Sequence, residues 1–168
     1  RHEGRGMDSR VMLVPLAYAH EESLFGGKAV SLGAAIRAGL PVPPGAAIHA
    51  AAVDWLADAH PTQAATMLDS EHVPDARLAV RSSAIGEDSG GASFAGQHAT
   101  RLNVRRAQLH DAVRTVWASA RSDGAIAYRV RKGLSLDARM GVVIQMMVEP
   151  IAAGVLFTRN PMTDADER

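Results

Sequence analysis

The chain contains no cysteine, which excludes disulfides, thiolate metal sites and cysteine nucleophiles. That absence is compatible with the cytoplasm, which is the expected location. Aromatic residues amount to 4% against 47% hydrophobic residues overall, so the core must be built from small aliphatics, alanine and valine above all. Net charge is missing too. Eighteen Lys and Arg balance 18 Asp and Glu, so nothing recommends a nucleic acid or an anionic membrane as partner. The longest apolar run, Val11 to Ala19, is broken by Pro15 and falls well short of the ~20 residues that cross a bilayer. No secretory pattern precedes it, because Arg1 to Gly6 is polar and charged. Met7 reads as the natural start and residues 1–6 as upstream sequence. A chain of 168 residues has room for one domain with a real core, or two small lobes.

What is present is organised around Leu78-Ala79-Val80-Arg81-Ser82-Ser83, followed by Glu87-Asp88, Gly90-Gly91 and Ser93-Phe94-Ala95-Gly96-Gln97. An apolar run ends in an arginine and two hydroxyls, and a loop of glycine and small residues comes next. This is a strand delivering a cation and hydroxyl donors to a loop. Such a pair suits a polyphosphate, because arginine forks onto phosphate oxygens and glycine lets backbone N–H groups approach them. The competing reading of Arg81 is a strand-end arginine in a surface ion pair.

Earlier in the chain, Val11 to Leu16 reads as a first strand, and His20-Glu21-Glu22-Ser23 as a loop. Leu24-Phe25-Gly26-Gly27-Lys28-Ala29-Val30-Ser31-Leu32-Gly33 leads into a helix with Leu32, Ala35 and Ile36 on one face, ending at Gly39 before Pro41. Gly26, Gly27 and Lys28 therefore stand at a helix N-terminus, where free N–H groups and the dipole favour an anion. A tight turn with a solvated lysine is the alternative, since the spacing is not that of a P-loop. Pro41-Val42-Pro43-Pro44-Gly45 is a stiff connector. Ala46 to His49 reads as a strand, Ala50 to Ala59 and Pro61 to Asp69 as helices. His49, His60 and His72 lack metal-ligand spacing and read as surface or capping residues.

Thr100 to Val104 reads as a strand, and Arg105 to Arg121 as a helix burying Leu109, Val113, Val116, Trp117 and Ala120. Ser122 to Arg131 reads as another helix, with Ile126 and Val130 on the same side. Met140 to Val148 and Ala152 to Phe157 are apolar runs around Glu149-Pro150-Ile151, the pattern of an antiparallel hairpin. With no further element to cover it, this hairpin is expected to be an exposed surface through which the chain self-associates. Gln145 interrupts the first run, so it is either paired to backbone or aimed into a cavity.

Three of these stretches, in this order, resemble one family. Gly26-Gly27-Lys28 with Leu32-Gly33 and the proline connector, Val80-Arg81-Ser82-Ser83-Ala84 through Gln97, and Val143-Ile144-Gln145-Met146-Met147-Val148 with Ala153-Gly154-Val155-Leu156-Phe157-Thr158 are similar to the N-terminal ATP-binding domain of phosphoenolpyruvate synthases, pyruvate phosphate dikinases and rifamycin phosphotransferases. The Ser93-to-Gln97 form is closer to the synthase and rifamycin branch. The resemblance implies an α/β (α+β) fold, an incomplete ATP-grasp-like nucleotide-binding domain over residues 7–168 with a mixed or antiparallel sheet and flanking helices. It also implies an enzyme that splits ATP to AMP and phosphate and carries a phosphoryl group, on a histidine of a separate domain, to an acceptor. Carried over residue by residue, Lys28 and Arg81 contact the phosphates as the catalytic cations, backbone around Gly96 with Thr100 closes over them, and Gln145 lies at the adenine and hinge end. ATP is the expected ligand and magnesium the expected ion. Glu87 and Asp88 read equally well as loop carboxylates, so no metal ligand is assigned.

The sequence also departs from the family. Ala46 to Arg77 is shorter than the usual helical segment, Ile85 stands where threonine is usual, and Met146 where a basic residue is common. None of the seven histidines resembles a phosphohistidine motif. The second ATP-grasp half, the histidine domain and the acceptor domain are expected as separate partners, in cis or in trans, and this chain alone is expected to be inactive. A non-catalytic nucleotide-binding or regulatory remnant of the family is the alternative. Pyruvate, a rifamycin and a glucan all stay open as acceptors.

Overall fold

The computed structural model describes residues 12–86, 99–133 and 135–154. In chain order the elements are β1 (Leu13–Pro15), a 3-10 turn (Leu16–Tyr18), α1 (Glu22–Phe25), α2 (Gly27–Arg37), β2 (Gly45–Ile48), α3 (Ala50–Asp58) and α4 (Pro61–Leu68). There follow β3 (Leu78–Ala84), β4 (Thr100–Val104), a 3-10 turn (Arg106–Gln108), α5 (Leu109–Ser119), α6 (Asp123–Lys132) and β5 (Met140–Met146). The strands form one sheet in the order β1-β2-β5-β3-β4, every neighbouring pair antiparallel. This is the α/β architecture expected, with the sheet antiparallel throughout.

Register decides what each face carries, because directly paired residues share a face. Leu13, Ile48, Val142 and Ser82 lie in one row, and Ala46, Ile144 and Val80 in another on the same side. Against that face pack Val53 and Leu56 of α3, Leu68 of α4, and Leu109, Val113 and Val116 of α5, forming the larger core. Burying a side chain of this kind is worth about 1.5–3 kcal/mol, so this layer is the main source of stability. The opposite face carries Ala47, Val143 and Arg81 in one row, Gln145 and Ala79 in the next, and Gly141 with Ser83 beyond. There Leu16, Ala19, Phe25 and Ala29 make a smaller core with Ala47 and Val143.

The helix ends follow from local chemistry. α2 stops in a paired bond, Gly39 N–H to Ile36 O and Leu40 N–H to Ala35 O, with Gly39 at φ 77°. His49 and His60 are the N-caps of α3 and α4, their Nδ1 atoms accepting from Ala51 N and Thr62 N at 3.0 and 3.4 Å. Of the surface or capping roles read for the scattered histidines, capping is the one His49 and His60 play. Trp117 is half-buried at the edge of the core. Its Nε1 donates to Asp54 Oδ1 at 2.8 Å, and Arg121 stacks over its ring at 4.0 Å while donating to the same carboxylate at 3.1 Å. These contacts pin α3 to α5.

Three expectations need correction. β5 is the middle strand, hydrogen-bonded to β2 on one edge and β3 on the other and buried on both faces. Its first six residues are buried, Gln145 among them, and the apolar run from Met140 to Ile144 shows no alternation because both faces are covered, so residues 140–145 offer no exposed surface for self-association. Residues 147–154 form no strand, and Val155 to Phe157 lie outside the described residues. On α6, Ile126 and Val130 are exposed, while Ala125 and Arg129 face inward. The buried Arg129 guanidinium donates to Ser135 O at 3.2 Å, so its aliphatic stem and a small alanine form the stripe that the branched residues were expected to form. The expected loop at His20 to Ser23 contains the start of α1.

His49 makes stability depend on pH. Its cap needs a neutral Nδ1, and burial first and then Arg139 lower its pKa from 6.5, against an opposing effect of Glu21. The unfolded chain takes up a proton that the folded chain resists. The contribution of the cap, about 1 kcal/mol, is thus complete above pH 6.5 and is lost as pH falls through the folded value. Thermal melts between about pH 7.5 and 5 should show His49→Asn, which caps without titrating, losing less stability on acidification than the parent chain. Parallel slopes would remove His49 from the acid response.

Candidate functional site

The face opposite the main core is only partly covered by the described residues. The 3-10 turn, α1 and α2 lie over Ala47, Val143, Gly141 and Ser83, leaving Arg81 half-buried and Thr100 exposed at the far side. Arg81 and Thr100 are direct cross-strand partners on β3 and β4. Gln145 sits one row away, 6% exposed. Its Oε1 accepts from Arg81 Nη1 at 3.5 Å and its Nε2 donates to Pro43 O at 3.2 Å. Of the two alternatives left open for Gln145 the backbone pairing is the one seen, and its other end faces the arginine. Among the described residues Arg81 joins no ion pair, and those present are Arg106–Asp69 and Arg121–Asp54.

Lys28 is brought to the same face by a seam between α2 and β3. Ser83 Oγ accepts the Ala29 N–H at 3.0 Å, across 54 residues of sequence. Ala29 is the third residue of α2, so Ser83 caps the helix from a neighbouring strand. Gly26, at φ 79°, lies so close to β3 that a Cβ there would stand 2.0 Å from Ser83 O. A Cβ on Gly141 would stand 2.3 Å from Phe25 O. The two glycines admit the backbone of α1 and α2 to the sheet, and the half-buried Lys28 follows. The expectation of free N–H groups at this helix start is corrected at Ala29, whose donor is taken by Ser83. The serine was legible as a hydroxyl donor beside Arg81, but its long-range partner was not.

The segment that carries Gly96, and with it Glu87 and Asp88, lies outside the described residues. Its neighbours are tied down on both sides. Gly86 N–H donates to Glu22 Oε1 at 3.2 Å, and Ala99 N–H to Ser119 Oγ at 2.9 Å. Sequence reasoning missed Glu22 and Ser119, because neither is near Arg81 in the chain. Among the described residues no three His, Asp or Glu side chains come together to hold a metal ion. A cavity of about 660 Å³ opens elsewhere, between α4 and the start of α5, lined by Thr62, Thr66, Asp69, Arg106 and His110 among others. It is on the far side of the sheet. Arg106 there donates to Asp69, Ser70 O and Val73 O, and His110 is bonded to Leu56 O, so its polar groups serve the fold.

Comparison with known proteins bears on the same residues. Residues 59–168 match the family model of the pyruvate phosphate dikinase AMP/ATP-binding domain. The chain belongs to this family. The match takes in Arg81, Gly96, Thr100 and Gln145. Phosphoenolpyruvate synthase of Aeropyrum pernix is 32% identical over 195 aligned residues, 86% of this chain and 24% of that protein. Rifampicin phosphotransferase of a Streptomyces species is 45% identical over 96 residues, 56% of this chain and 11% of the relative. A prodigiosin synthesizing transferase of Serratia marcescens is 36% identical over 170 residues, 85% and 19% of the two chains. The chain thus spans about a quarter or less of the relatives it matches. No described helix is long and apolar enough to cross a membrane.

The seam can be tested by stability. Ser83→Ala leaves the buried Ala29 N–H without its acceptor and should cost about 1–3 kcal/mol in urea unfolding. Gly26→Ala adds both a clash and a disfavoured φ, and should cost more than Ser83→Ala. A Ser83→Ala chain as stable as its parent would mean that the seam does not hold α2 in place.

Proposed function

We propose that this chain is the ATP-binding portion of an ATP-dependent phosphotransferase. In this reading the parent enzyme splits ATP to AMP and phosphate and passes a phosphoryl group, by way of a histidine on another domain, to an acceptor such as pyruvate or a rifamycin. The observation that carries it is the convergence on one partly covered sheet face of Arg81, its cross-strand partner Thr100 and, through the Ser83–Ala29 bond, the helix start bearing Lys28. A guanidinium that joins no ion pair among the described residues keeps its charge for a ligand. Two cations on one face balance part of a polyphosphate's charge, and fixed donors stabilise charge that develops on a transferred phosphoryl group.

Roles follow from that arrangement. Lys28 and Arg81 contact the phosphates, the backbone around Gly96 and the Thr100 hydroxyl complete their surround, and Gln145 stands beside Arg81. Magnesium accompanies ATP in this reading, with its ligands on the remainder of the enzyme. The names of the relatives, a synthase of phosphoenolpyruvate and a phosphotransferase of rifampicin, support phosphoryl transfer as the shared chemistry and leave the acceptor open.

Isothermal titration with ATP and magnesium, beside an Arg81→Ala variant, tests the assignment. Loss of a charge-assisted hydrogen bond costs about 1.5–3 kcal/mol, so the variant should bind roughly ten- to a hundredfold more weakly. Equal affinities would place the nucleotide elsewhere.

A further inference from the structure

Gln145 is more constrained than a residue waiting for a ligand. It is almost wholly buried, and both ends of its carboxamide are engaged by the protein, Nε2 by the Pro43 carbonyl and Oε1 by Arg81. Chemistry fixes which way the amide points. Reversed, it would set its NH2 group against a guanidinium and its oxygen against a carbonyl, two repulsive contacts in place of two hydrogen bonds. The backbone around it is equally fixed. Met146 N–H donates to Pro44 O at 2.9 Å, Gln145 pairs with Gly45 on one side and Ala79 on the other, and a Cβ on Gly45 would stand 2.9 Å from Gln145 Cα. The stiff proline connector therefore holds an amide, and the amide holds an arginine.

We propose that Gln145 is a positioning residue that aims Arg81 at the phosphates, and that it does not read the adenine base. This rests on the reading of Arg81 as a phosphate ligand. An amide suits the task better than a carboxylate, because it orients the guanidinium without neutralising it. At 3.5 Å the Arg81–Gln145 contact is long for a hydrogen bond. It occupies one of five guanidinium donors and leaves the others for phosphate oxygens, to which charge-assisted bonds are stronger.

The test uses the whole chain, two variants and three probes. Gln145→Met keeps the unbranched length and burial but removes both hydrogen bonds; Gln145→Glu keeps an acceptor and adds a charge. Titration with ATP, GTP and inorganic tripolyphosphate should show Gln145→Met weakening all three by a similar factor, several-fold or more. On an Arg81→Ala background the same substitution should have no further effect. Loss confined to ATP, with tripolyphosphate unchanged, would overturn the proposal in favour of base contact. Gln145→Glu should weaken tripolyphosphate further than Gln145→Met does. A weaker effect than Met would count against an uncharged orienting role. If the parent chain binds none of the probes, the phosphate-site reading fails, and the Arg81–Gln145 coupling is still decided without ligand. Nitrogen-detected NMR of the Arg81 guanidinium should show restricted rotation in the parent and averaged signals in Gln145→Met. Identical signals would overturn the positioning role.

Discussion

The structure depends on the contact between the start of α2 and strand β3. Lys28 is placed by a helix whose third N–H is satisfied by Ser83 and whose preceding residue, Gly26, nearly touches the Ser83 carbonyl. Helix starts carry donors that must find acceptors, and a local side chain usually supplies one. Here no side-chain cap comes from Gly26 itself, and the acceptor comes from a strand 54 residues later. One hydroxyl therefore does two things, ending the exposure of a buried donor and fixing the distance between the lysine-bearing helix and the arginine-bearing strand.

The two faces of the sheet divide the work. The side packed by α3, α4 and α5 holds the larger core and the polar contacts that lock helices together. The other side holds a small core of Leu16, Phe25, Ala29 and Val143 and then opens at Arg81. Such a division lets the site tolerate polar and half-buried groups, because the stability of the domain is secured elsewhere. β5 belongs to both, with Val142 and Ile144 turned to the main core and Val143 and Gln145 to the other face. The unbroken apolar run from Met140 to Ile144 is the trace of that double burial.

Much of this was legible in the sequence, for reasons that differ by element. Helix ends were readable where the signal is local: Gly39 before Pro41, and histidines just ahead of Ala50 and Pro61. The candidate site was readable in its residue types, since Arg81 and Thr100 do meet, yet their adjacency rests on the pairing of β3 with β4. What the chain could not disclose is non-local. Strand order turned an expected exposed hairpin into a central strand, and Ser83 found its partner 54 residues away in the chain. On α6, periodicity was read through hydrophobicity alone, whereas the buried stripe includes Arg129, whose charged end reaches Ser135 O. Between Ala46 and Arg77 the residues Val53, Leu56, Ala64 and Leu68 all join the larger core.

The tie between Trp117, Asp54 and Arg121 gives the protein a built-in optical signal. Both tryptophans, Trp55 on α3 and Trp117 on α5, stand in the helical layer on the far side of the sheet from Arg81. The indole of Trp117 shares a carboxylate with a guanidinium that also stacks on its ring, an environment that exists only while the two helices are docked. Intrinsic fluorescence consequently reports the integrity of that layer, and its distance from the open face separates the emission due to folding from events on that face.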